Sequence, residues 1–215
     1  MTTYIQKISV KSTLIIILIV FYSSLFAEEK KKNYKLDPNV HAELIGIHNQ
    51  IDEGQNGKAL KKLKKLISLN NLKAYDSAVI YQTIGYAKSN IGEFEEATKN
   101  FIKALSLDAL PIDVTHKLNY SAAQLLIHID KSKEGLEYLS KWFTTETKAT
   151  GDAHILAATA YYNIKDYKQL ITHAEKALVQ SSKPQLSWYE LLLAGYYEIN
   201  EYQKSATLLE TIIIK

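Results

Sequence analysis

The chain has 215 residues, 47% of them hydrophobic, with eight glycines, three prolines and no cysteine. That balance suits a folded helical protein and excludes a collagen-like or disordered chain, disulfides, thiol catalysis and iron–sulfur ligation. All the basic residues, 26 in number, are lysines, set against 23 carboxylates for a formal net charge of +3. Without arginine there is no planar fork for phosphate, and nucleic acid is not an expected partner.

At the N-terminus Lys7 and Lys11 precede the apolar run Leu14, Ile15, Ile16, Ile17, Leu18, Ile19, Val20 and Phe21, which passes through Ser23, Ser24 and Ala27 into Glu28, Glu29, Lys30, Lys31 and Lys32. Positive, apolar, small and then charged is the order of a secretory signal peptide, residues 1–27, with cleavage after Ala27. The strongly apolar part is about eight to thirteen residues, short of the ~20 that span a bilayer. The alternative is an uncleaved anchor in the inner membrane, with the rest facing the periplasm. Cleavage removes Lys7 and Lys11 and leaves 24 lysines against 23 carboxylates, a nearly neutral chain without a lipidatable cysteine. Residues 28–38 read as a charged, solvated linker.

From residue 39 to 215 small and aromatic residues recur in helical spacing, in units near 40–72, 78–111, 116–149, 151–184 and 186–215. The first has Gly54, Ala59, Leu63, Leu66 and Ile67, with Lys58, Lys61, Lys62, Lys64 and Lys65 on the polar side of the same helix. Those lysines form a solvated face, with contact to anionic lipid or an acidic partner as the alternative. The second unit has Tyr81, Gly85, Tyr86, Gly92, Phe94, Ala97, Phe101, Ala104 and Leu105. Ala97 and Gly85 are small so that helices can approach, Tyr81, Phe94 and Phe101 fill the gaps, and Gly92 supplies a positive φ at the turn. The third has Ala122, Ala123, Gly135, Leu139, Trp142 and Phe143, with Asp130 in place of the turn glycine. The fourth has Ala157, Ala158, Tyr161, Tyr167, Leu170, Ala174 and Ala177, and the fifth Tyr189, Leu192, Tyr196, Tyr202, Ser205, Leu209, Ile212 and Ile213. The markers Ala59, Ala97, Gly135, Leu170 and Ser205 are separated by 38, 38, 35 and 35 residues. Spacing slightly over 34 is read as longer turns between repeats. Pro111 and Pro184 fall just after second helices, where a stop is expected. Because Ile212 to Ile214 leave an aliphatic end, the chain reads as truncated or uncapped.

The run from Tyr81 to Asp108 resembles the tetratricopeptide repeat at nearly every diagnostic place. The resemblance implies an all-α fold: a right-handed α-solenoid of about five helix pairs, with a concave face lined by the first helix of each pair. Carried over position by position, the family's ligand-gripping places hold Tyr86 and Asn90 in unit two and Lys117, Tyr120 and Gln124 in unit three. They hold Tyr162 and Asn163 in unit four and Tyr197 in unit five. Aromatic rings with amides and one lysine suit an extended peptide or a partner helix. The lysine-rich carboxylate clamp of chaperone-binding members is not reproduced.

The six histidines, at positions 41, 48, 116, 128, 154 and 173, are scattered along the chain, and no zinc spacing, phosphate loop, nucleophile elbow or dinucleotide glycine pattern is present. The expectation is a non-enzyme without metal or cofactor. The stretch Ala109-Leu110-Pro111, Lys183-Pro184 and Ser187-Trp188-Tyr189 through Tyr202 is similar to the periplasmic tetratricopeptide component of TonB-ExbB-ExbD energy-transduction systems, over residues 36–209. This likeness implies a periplasmic accessory that bridges the motor to an outer-membrane transporter, with a TonB- or ExbD-type protein as partner and membrane association at most peripheral or through the N-terminal segment. Alternatives are a scaffold for outer-membrane assembly or cell-wall synthesis, and a binder of a small molecule or peptidoglycan fragment.

Overall fold

The computed structural model describes residues 34–214; the signal peptide and most of the linker expected before them lie outside the described residues. Ten helices follow one another there: α1 (Pro38–Asp52), α2 (Asn56–Ile67), α3 (Ala74–Asn90), α4 (Phe94–Ser106), α5 (Ile112–His128), α6 (Ser132–Thr145), α7 (Gly151–Asn163), α8 (Tyr167–Gln180), α9 (Leu186–Glu198) and α10 (Tyr202–Ile214). Each packs chiefly on its neighbours in the chain, so the fold is a stack of five helix pairs. No described residue is in a strand, and no described helix is long and apolar enough to cross a membrane.

The turn inside each pair contains a residue in the left-handed region: Gly54, Gly92, Asp130, Lys165 and Asn200, with φ of 74°, 77°, 60°, 62° and 61°. Gly92 and Asp130 thus do what their positions suggest. Lys165 and Asn200 do the same without a glycine signal, at the cost that a Cβ brings to this region.

The 38-residue spacing has a different origin from the one expected. The connections between pairs are of nearly equal length, five or six residues. The additional residues lie in the first helices, which run for 17 residues in α3 and α5 but 13 in α7 and α9. One extra helical turn, about 3.6 residues, accounts for the difference. In α3 that turn carries Asp76, a buried carboxylate. It accepts the Lys73 N–H at 3.2 Å and, across the stack, the Asp37 N–H at 2.9 Å. The first turn of α3 therefore also fixes the entry of α1. That helix starts at Pro38, inside the expected linker, because proline at the first helical position has its φ preset and lacks only an N–H that would go unused.

Small residues sit where helices come closest. A Cβ at Gly85 would overlap the ring of Phe101, and one at Gly135 would lie 2.7 Å from Ile127 Cγ1. Phe101 itself is fully buried between α3, α4 and α5, beside Ala78, Ala104, Leu118 and Ala122.

Candidate functional site

Successive repeats are joined by a ladder that the helix boundaries create. The first residue of each second helix meets the last residue of the next first helix. Asn90 Nδ2 donates to Asn56 Oδ1 at 3.5 Å. Phe94 meets the His128 ring edge-on at 4.8 Å. Asn163 Nδ2 donates to Ser132 Oγ at 2.9 Å, and the Tyr167 hydroxyl faces the Glu198 carboxylate, whose charge helps push the phenol pKa up after burial. Asn90 and Asn163, both expected to grip a ligand, are rungs of this ladder, although each stays exposed.

The remaining expected residues divide by surroundings. Tyr86 is exposed and packs edge-on against Phe101 at 5.0 Å. Lys117 and Gln124 are exposed on α5. Tyr120 is half-buried, its ring 4.8 Å from Trp142, and burial followed by the charge of Asp152 pushes its hydroxyl pKa up. Trp142 stands where α4 and α8 have Ala104 and Ala177, so its bulk fills the seam against Tyr120 and the stacked His116 ring, neighbours on α5. His116 is tied in turn to Thr145 and Glu146, at 2.7 and 3.1 Å. Tyr120 therefore presents only part of its ring to a ligand.

Tyr162 and Asn163 do come together, in a groove of about 660 Å³ between the turn of the third pair and the turn of the fourth. Its walls include Ser132, Tyr167, Lys131, Lys133 and Lys165 together with the carboxylates Asp130 and Glu134. The Tyr162 and Tyr167 rings meet edge-on at 6.2 Å. Lys131, Lys133 and Lys165 are all exposed, and none enters an ion pair among the described residues. Sequence reading passed over these lysines because a charge next to a turn looks like ordinary solvation. Only the stacking of two turns brings the three lysines into one groove with the two tyrosines. Tyr197 lines a separate groove of about 370 Å³ with Leu193, Ala194 and Leu209. The α2 lysines point to solvent while Ala59, Leu63 and Leu66 are buried.

The histidines are less scattered in space than in sequence. His154 on α7 and His173 on α8 place their Nδ1 atoms 3.0 Å apart, beside Phe143 and a cavity of about 300 Å³. One ring must donate and the other accept, so a second proton is opposed. Burial, then His154, then Lys176 hold His173 down to about 4, and burial with Lys176 lowers His154. No cluster of three or more metal-ligating side chains occurs among the described residues. An unfolded His173 binds its proton near pH 6.5 and the folded one near 4, so folding stability is full above pH 6.5 and falls as pH drops through that window. Because solvent reaches part of the ring, a loss of about 1–2 kcal/mol is expected. Urea midpoints at pH 7.5 and 4.5 should show it, and His173→Phe should flatten that part of the slope. An equal slope in the variant would assign the loss to carboxylates instead.

A stack of helix pairs with small residues at each close approach and a left-handed residue in each turn is a tetratricopeptide-repeat solenoid, and this chain has that fold. Among solved structures it is similar to MamA from Desulfovibrio magneticus RS-1, at 17% identity over 83% of this chain and 96% of that one, with a TM-score of 0.66. It is also similar to MamA of AMB-1, at 12% identity over 81% and 90%, TM-score 0.66. A third likeness is to YrrB, a TPR protein with an unusual peptide-binding site, at 16% identity over 86% and 88%, TM-score 0.67. No family model and no curated protein sequence matches the chain.

Proposed function

We propose that the protein is a non-catalytic scaffold that holds a segment of another protein along its first helices. The carrying observation is the groove around Tyr162 and Asn163, which two tyrosines and three lysines outside any ion pair line, against two carboxylates. Rings of this kind give contact area at low entropic cost, and the lysines favour carboxylates. The occupant is therefore an acidic, extended segment with an aromatic or aliphatic anchor. Peptide binding by the structurally similar YrrB supports this reading. Residues 1–27 support placement in the periplasm. The likeness over residues 36–209 supports a narrower form, in which the partner is a TonB- or ExbD-type protein of an energy-transduction system.

Site-specific crosslinkers at Tyr86 and Tyr162, combined with fractionation of the native host, test both levels. The expected result is a periplasmic chain that captures a protein. Capture from Tyr162 should fall about tenfold in the variant Lys131→Glu, Lys133→Glu, Lys165→Asn, with melting unchanged; asparagine at 165 tolerates the positive φ. Recovery in the cytoplasm would overturn the export reading. Capture of assembly or cell-wall proteins alone would keep the scaffold and remove the energy-transduction role, and capture insensitive to the lysines would remove the groove.

A further inference from the structure

The seams between repeats define what the outer face of each second helix receives. Nine places after the turn residue, α2, α4, α6 and α8 carry Leu63, Phe101, Leu139 and Ala174, none more than 1% exposed because the next first helix covers it. In α10 that place is held by Leu209, 44% exposed, between Tyr202 at 57% and Ile213 at 80%. This face has the register of an inner seam but no first helix on it among the described residues.

The complementary face is exposed at the other end of the stack. An inner first helix such as α7 meets the preceding repeat with Ala153, Leu156, Ala157 and Ala160. At the same distances from its turn, α1 carries Ala42, Ile45, Gly46 and Asn49. Ile45 is 51% exposed, and no described atom comes within 4 Å of where a Cβ on Gly46 would stand. The ladder extends the match. Tyr167, first in α8, faces Glu198, last in α9. Tyr202 is first in α10, and α1 ends in a carboxylate, Asp52.

We propose that α10 of one copy of this chain receives α1 of a second copy, head to tail, in the register of an inner seam. Leu209 and Ile213 then lie beneath Ala42, Ile45 and Gly46 of the second copy, and Asp52 of the second copy takes over the Tyr202 hydroxyl proton that Asn200 Oδ1 accepts within the chain. One contact covers both exposed faces, which a foreign helix would not do. Because the two faces differ, each pair of copies leaves one of each face free, and association continues as an open chain unless the rotation closes it into a ring.

Sedimentation equilibrium of the full chain from about 1 to 200 μM tests this, a range that brackets a weak heterologous contact. The expected result is a mass that rises with concentration past two copies. Ile45→Glu blocks one face and Leu209→Glu the other; each variant alone should remain a monomer with unchanged helicity. Their equimolar mixture should form a one-to-one dimer and stop there, since only α10 of the first and α1 of the second stay intact. A wild-type mass fixed at one copy would overturn the proposal and leave the faces to another segment or protein. So would association of both single variants, which would assign it to the apolar N-terminal segment they share, or a mixture that stays monomeric.

Discussion

Phe101→Ala is expected to lower the unfolding free energy by about 3–5 kcal/mol, the range for removing a buried aromatic ring from a packed site. The site cannot collapse easily. The ring touches α3 through Gly85 and Tyr86 and α5 through Leu118 and Ala122, so closing the void would require two helices on opposite sides to move. Gly85→Ala tests the same contact from the other side, because its methyl overlaps the ring and should cost about 1–3 kcal/mol. Combined with Phe101→Leu, the alanine should cost less than it does alone, since the two positions share one space. Urea unfolding of the single and double variants measures this. Strict additivity would count against the close approach of α3 and α4, and a small effect of Phe101→Ala against the burial of the ring.

Asp76→Ala is expected to cost about 2–3 kcal/mol, through the loss of two charge-assisted hydrogen bonds to backbone N–H groups. One of these, from Lys73, lies within its own helix start; the other, from Asp37, is 39 residues away in sequence. The effect should therefore be felt in two places. Amide hydrogen exchange should speed up in the first turns of both α1 and α3, while α7 to α10 stay protected. Asp76→Asn keeps an acceptor and should lose about half as much. Faster exchange at α3 alone would show that the Asp37 bond does not hold α1.

Helix pairing was legible because it depends on spacing. Gly85, Ala97 and Gly135 are small where the chain must let another helix approach, and their separation can be counted along the sequence. Gly54 and Gly92 announced their turns for the same local reason, the absence of a Cβ. Lys165 gave no such sign, since a lysine held at positive φ by its surroundings looks like any other. The spacing of 38 was visible while its source was not: a longer connection and a longer helix add the same number of residues. Which residues face the ligand was harder still. The repeat pattern places Tyr120 and Tyr162 on equivalent helices, but Trp142, standing where the pattern has alanine, draws Tyr120 into the seam, whereas Tyr162, next to its turn, stays in the open groove. The sequence by itself determined the all-helical class and the number of pairs, because periodic burial is a property of one chain segment at a time. The tertiary structure alone decided that Lys131, Lys133 and Lys165 share a groove, that His154 and His173 meet through their Nδ1 atoms, and that Asp76 holds α1. Those contacts join residues 19 to 39 apart on different elements, and no local preference encodes which two surfaces the stacking will bring together.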